Sequence, residues 1–141
     1  MTEESHRNVG ITRLGQGQYE ATNSRGGKLV FGRGEGDEAF TPVELLLTAI
    51  AGCSAIDVDL ITSKRAEPTR FEVTMDGEKI RDQHGNRLTD LVLTFRVEFP
   101  DDEGGRAAEG VLPRAVRQSH DRLCTVSRTV EVGTPVVVRV D

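Results

Sequence analysis

The chain has 141 residues, 36% of them hydrophobic and 29% charged, with a formal net charge of −5. That length suits one domain spanning 1–141, and the negative balance excludes the basic face that nucleic acid requires. The low apolar content favours burial shared with a second subunit, and the acidic, polar N-terminus lacks the apolar region of a signal peptide. No uninterrupted apolar run of about 18 residues is present, so a cytoplasmic protein with no membrane association is expected.

Residues 1–8 read as a disordered arm. Short strands follow at 9–14, 18–22 and 28–32, punctuated by Gly15, Gly17, Gly26 and Gly27 as hairpin connections require. The loop from Gly32 to Gly36 is glycine-rich and charged, but no strand–Gly-x-Gly-x-x-Gly–helix context makes it a phosphate site, and no cofactor motif occurs elsewhere. Thr41 then offers an N-cap, Pro42 suits the first helical position, and Glu44 completes a capping box. From Val43 to Ile61 apolar or small residues fall on nearly every face, broken only by Glu44, Thr48, Ser54, Asp57 and Asp59. Such a helix is expected to be buried all round, covered by sheet or by a second subunit. Ser63, Lys64, Arg65 and Pro68 end it.

A strand over 70–79 places Phe71, Val73 and Met75 on one side. After a turn at 83–86, Leu91, Leu93, Phe95, Val97 and Phe99 alternate strictly with polar or smaller neighbours. Pro100 and the acidic run 101–105 read as a solvated turn without the ligand spacing of a calcium loop. Leu112, Ala115, Val116, Ser119 and Leu123 define a second helix, which Pro113 requires to start close to itself. A short helical turn follows Cys124 as far as Val130. Residues 134–140 close the chain as a strand with Val136, Val138 and Val140 inward. The fold class predicted is α+β, with helices on one face of mainly antiparallel sheets.

Cys53 and Cys124 are the only thiols. One lies on the apolar helix, the other at the mouth of the short one, where a helix N-terminus favours thiolate. In a reducing compartment they are free, metal-bound or redox-cycling rather than a permanent staple. If the fold separates them, they are two small core residues. A metal site of Cys53, Cys124 and His120 lacks a fourth ligand and any Cys-x-x-Cys spacing, so no metal is expected. Asp57 and Asp59 read as a polar helix face or as interface contacts.

Pro42-Val43-Glu44-Leu45-Leu46, then Ala51-Gly52-Cys53 at 11 residues from Pro42, then Cys124-Thr125-Val126-Ser127, resemble the OsmC/Ohr family of osmotically inducible and organic hydroperoxide resistance proteins. The resemblance implies an intertwined homodimer, with antiparallel sheets around a long central helix and active sites at the subunit interface. It implies that Cys53 attacks an organic hydroperoxide, becomes a sulfenic acid and condenses with Cys124, after which a dithiol reductant resets the pair. The family's assisting arginine corresponds to Arg33, or to Arg25 if it comes from the earlier turn. The family's supporting glutamate falls on Val43, and its proline after the second cysteine falls on Thr125. These departures resemble the YhfA-like branch. Glu44 stands nine residues before Cys53, about 13 Å along a helix and on the opposite face, so it could serve only a partner's site or its own capping box. The alternative expectation is an OsmC-fold protein without efficient peroxidase chemistry, binding a small apolar or thiol-reactive ligand in the interface cleft.

Overall fold

A computed structural model describes residues 5–141. Of the expected N-terminal arm, residues 1–4 lie outside the described residues, and residues 6–8 are exposed and carry no strand or helix. The chain divides into two compact units, Met1–Leu46 and Leu47–Asp141.

The first unit is a three-stranded antiparallel sheet, β1 (Val9–Gly15), β2 (Gln18–Asn23) and β3 (Lys28–Gly32), in the order β1-β2-β3. Its boundaries match the sequence reading within a residue. Gly17 and Gly26 take φ of 73° and 87°, the left-handed region that tight turns between these strands require. Tyr19 and Phe31, partners across β2 and β3, stack with ring centroids 5.7 Å apart. Gly32 N donates to Phe40 O at 3.0 Å and fixes the chain just before the helix. There the capping box forms as expected: Glu44 N donates to Thr41 Oγ1 at 3.2 Å, and Thr41 N donates to Glu44 Oε1 at 2.9 Å.

Helix α1 (Pro42–Thr62) begins in the first unit and runs mostly in the second. Its buried residues are Ile50, Ser54, Val58 and Thr62, one stripe at four-residue spacing. Ile56 and Leu60 are 63% and 62% exposed, so within one chain the helix is not buried all round as its composition predicts. With 21 residues and a mean hydropathy of 1.7, α1 is long and apolar enough to cross a membrane. Glu44, Thr48, Ser54, Asp57 and Asp59 still interrupt it, and the core helix of a soluble protein meets the same criterion. The buried stripe is half hydroxyl-bearing, and Thr62 Oγ1 donates to Val58 O at 3.0 Å, as suits a helix packed inside protein.

A long hairpin follows, β4 (Arg70–Asp82) and β5 (Gly85–Glu98), closed by Gln83 and His84. Both strands outrun the periodic segments that predicted them. Asp82 holds the turn, accepting from His84 N and pairing with Arg87 Nε, each at 2.8 Å. Phe71 and Phe95 meet edge to face at 6.3 Å on the half-buried side.

Helix α2 (Glu103–Gln118) starts ten residues before Pro113, not close to it. The acidic run read as a solvated turn is its first turn. Asp102 is the N-cap and accepts from Gly105 N at 2.7 Å. Gly104 and Gly105 sit where a Cβ would strike the carbonyls of Arg65 and Pro100, so glycine here permits close packing. A π-helical turn (Ser119–Leu123) and helix α3 (Thr125–Val132) complete the regular structure, with Gly133 at φ 68° as the left-handed cap. The predicted C-terminal strand is absent. Residues 134–141 pair with no strand, and Val136, Val138 and Val140 are exposed rather than inward. Their alternation suits a sheet, but a strand exists only where a ladder partner satisfies its backbone. The fold class stands as α+β, and the buried apolar residues of the second unit are few: Ile50, Val58, Ala108, Ala115 and Cys124.

Candidate active site

Cys53 and Ser54 lie midway along α1, and Asp57 follows Cys53 by one turn. The π-helical turn brings the other half of the site to them. Ser119, buried at its start, donates its hydroxyl to Asp57 Oδ2 at 2.9 Å across 62 residues of sequence. Cys124 N then donates back to Ser119 O at 2.8 Å, the wider spacing of a π turn. This sets Cys124 in an extended conformation as the N-cap of α3. Its sulfur accepts from Ser127 N at 3.4 Å and lies 3.3 Å from Ser127 Oγ.

Both cysteines are free, and they lie near enough for each to influence the other's ionisation. Cys124 is 1% exposed while Cys53 is half-buried, so Cys53 is the accessible thiol. The Ser127 amide at the start of α3 serves the Cys124 sulfur. Burial pushes the Cys53 thiol up, and the neighbouring Cys124 and the Asp57 carboxylate push the same way, against the Val126 amide. Burial would also raise Cys124, but the Ser127 hydroxyl and amide, the Ser54 hydroxyl and the Cys53 thiol outweigh it and hold Cys124 below the ordinary thiol value. The chemistry of the family resemblance asks for a lowered thiol at Cys53; the second unit lowers Cys124 instead.

An apolar cavity of about 330 Å³ lies beside this cluster, lined by Ile50 of α1, Met75 and Leu93 of the hairpin, and Ser127 and Val130 of α3. His120 and Glu131 stand at it too. The His120 ring engages Asp121 Oδ1 at 3.1 Å through Nδ1 and Glu131 Oε1 at 3.0 Å through Nε2. Asp121, then Glu131, hold this imidazole above its ordinary value. With both nitrogens turned to carboxylates, His120 does not join the cysteines as a ligand set, and among the described residues no cluster of metal-ligating side chains occurs.

The remaining sequence candidates belong to the first unit. Arg33 follows β3 and pairs with Glu35 at 3.3 Å on the surface. Arg25 sits in the β2–β3 turn, its amide donating to Asn23 Oδ1 at 3.0 Å. Glu44 is in the capping box. Sequence reasoning missed Ser54, Ser119 and Ser127 as members of the site, and Asp57 is a hydrogen-bonded neighbour of the pair rather than a plain polar face. Only the Cys-x-x-Ser spacing, which places a hydroxyl and an amide over an N-cap sulfur, could have signalled Ser127.

The family profile for OsmC-like proteins matches residues 34–139. An uncharacterized protein of Mycobacterium tuberculosis is 31% identical over 92% of this chain and 93% of its own length. Protein YhfA of Escherichia coli is 31% identical over 86% of this chain and 83% of its own. Among solved structures, an OsmC-like protein of unknown function from Vibrio cholerae superposes with a TM-score of 0.72 at 15% identity, covering 90% of this chain and 94% of that one. The organic hydroperoxide resistance protein OhrB of Bacillus subtilis does so with a TM-score of 0.54 at 15% identity, covering 89% and 92%. The chain belongs to the OsmC-like family, and its likeness to YhfA agrees with the branch that Val43 and Thr125 indicate.

Proposed function

We propose that this OsmC-like protein reduces organic hydroperoxides through a two-cysteine cycle, with Cys53 attacking, Cys124 resolving and a dithiol resetting the pair. One observation carries the reading: two thiols 71 residues apart in sequence are brought near enough in the fold to influence each other. Attack by the Cys53 thiolate on a hydroperoxide leaves a sulfenic acid, which survives over-oxidation only if a second thiol traps it at once. Cys124 is the second thiol that would do so. The apolar cavity beside Ser127 suits the organic part of such a substrate. OhrB is named as an organic hydroperoxide resistance protein, which agrees with this assignment.

The assisting cation is assigned to Arg33, with Arg25 as its alternative. Glu44 would act only toward a partner's site. The functional unit is a single OsmC-like domain in a cytoplasmic homodimer. A second copy would cover the exposed Ile56 and Leu60 and give the unpaired C-terminal valines a neighbour. A second reading, binding of a small apolar or thiol-reactive ligand without efficient turnover, is favoured by the protonated state that burial and Asp57 impose on Cys53.

The test is stoichiometric. Reduced protein is treated with one equivalent of cumene hydroperoxide and its mass is read. Loss of two hydrogens, abolished in Cys53→Ser, is the expected result; an unchanged mass after minutes at neutral pH overturns the peroxidase reading in favour of the second.

A further inference from the structure

We propose that the apolar cavity beside α3 selects its occupant by charge: it takes neutral organic molecules and turns away carboxylates, with Glu131, His120 and Asp121 as the specificity-determining residues. The inference deepens the peroxidase reading and rests on its placing the organic part of the substrate in this cavity. The substrate class is then compact, uncharged alkyl or aryl-alkyl hydroperoxides, not those of fatty acids, which carry a carboxylate.

The cavity of about 330 Å³ is walled by α1, the hairpin and α3. Its volume lies at the small end of ligand sites, which run from roughly 300 to 1,000 Å³. Met75 and Leu93 are direct partners across β4 and β5 and present one apolar wall. Ser127, Val130 and Glu131 recur at three- and four-residue spacing and share one face of α3. That face has two unlike ends. At Ser127 the Cys124 thiol donates to the hydroxyl at 3.3 Å, so this end adjoins a sulfur of the pair. Glu131 stands one turn further, about 6 Å along the helix axis. A molecule whose reacting group lies at Ser127 therefore places its far end beside Glu131.

At that far end both ring donors are already spent. His120 turns Nδ1 to Asp121 Oδ1 at 3.1 Å and Nε2 to Glu131 Oε1 at 3.0 Å. Ionised carboxylates only accept, so a ring held between two of them donates from both nitrogens and is an imidazolium. One cation against two carboxylates leaves the cluster net negative. Loss of the imidazole proton makes it more negative still, so the sign of its field is the same in either state. Among the described residues, no lysine or arginine lines the cavity. Arg122 and Arg128, on the π turn and α3, are exposed and stand outside the lining. Asp76 and Asp90 adjoin Met75 and Leu91 in sequence, so the hairpin adds acidic neighbours and not basic ones. A carboxylate brought here loses water against apolar walls, finds the ring donors taken and meets like charge. A hydroxyl or an amide can donate to Glu131 instead, and a bare hydrocarbon meets Leu91 and Val92.

The experiment measures binding, not turnover. Reduced protein is titrated calorimetrically with two redox-inert probes of one skeleton, cumyl alcohol bearing a para-carboxamide and cumyl alcohol bearing a para-carboxylate. The carboxamide should bind about tenfold more tightly at neutral pH and low salt, the scale of a partly screened repulsion between like charges. Added salt should narrow the gap to about threefold. Glu131→Gln should narrow it to about twofold, and His120→Gln, which removes the cation, should widen it. A merely structural role for these side chains gives no such dependence on salt and charge, and both are exposed enough for the variants to fold. Equal or tighter binding of the carboxylate overturns the proposal. So does a gap that neither salt nor Glu131→Gln narrows, and so does a failure of both probes to bind. No hydroperoxide is used, so these failures leave the mass test of the peroxidase reading standing. An unchanged mass in that test likewise leaves the binding ratio standing.

Discussion

The middle of α1 and the start of α3 hold the same functional group in opposite electrostatic settings. Cys53 lies where the helix has already used its amides, with a carboxylate one turn away. Cys124 lies at the N-cap of α3, where the Ser127 amide is free to reach its sulfur. What distinguishes the two thiols is their position along a helix. Two thiols that interact titrate as a pair. In this domain burial raises the accessible Cys53 thiol, while the Ser127 hydroxyl and amide lower Cys124 against its burial.

The contrast can be broken at Asp57. Ser119→Ala removes the donor that fixes this carboxylate and leaves a partly buried charge short of a hydrogen bond. A loss of about 2 kcal/mol in denaturant unfolding is expected, together with a changed Cys53 titration. A loss below a few tenths of a kcal/mol would mean that the carboxylate is solvated and does not shape the pair.

A control lies at the far end of α1. Thr41→Ala removes the N-cap hydroxyl and should cost about 1 kcal/mol of stability, without moving either thiol titration. Asp57→Asn then sharpens the contrast: with the charge gone, the Cys53 thiol should ionise more readily, raising the thiolate fraction of Cys124→Ser about threefold, the effect of a screened charge of about 0.7 kcal/mol. If that fraction falls, Asp57 is not the group that keeps Cys53 protonated.

The smallest effect is at His120, which borders the cavity and not the sulfurs. Its folded value is raised by Asp121 and Glu131, so the stability it contributes is fully present below its unfolded value of about 6.5 and is lost as pH rises through the higher folded value. The side chain is 54% exposed, so solvent screening keeps the contribution to a few tenths of a kcal/mol. Unfolding of the wild type and of His120→Gln across that window should converge at the alkaline end.

Much of the fold was legible because its signals are local. The capping box at Thr41, Pro42 and Glu44 names the start of α1 by itself, and glycine turns and alternation mark the strands. The errors fall where a local signal depends on a distant partner. Pro113 marks a helix start only if nothing upstream nucleates one, and Asp102 with the tightly packed Gly105 does so. Residues 134–140 alternate like a strand, yet alternation supplies no ladder.

By itself the sequence determined the α+β class, the long apolar helix, the two thiols and the family they resemble, since periodicity, caps and motif spacing are properties of neighbouring residues. Only the tertiary structure decided which thiol is cradled. That outcome depends on the Ser127 amide of α3 at the Cys124 sulfur, and on Ser119 of the π turn, which holds Asp57 of α1 one turn from Cys53. The meeting of α1 with the π turn leaves no trace in the order of residues, because Ser119 and Asp57 stand 62 positions apart in sequence.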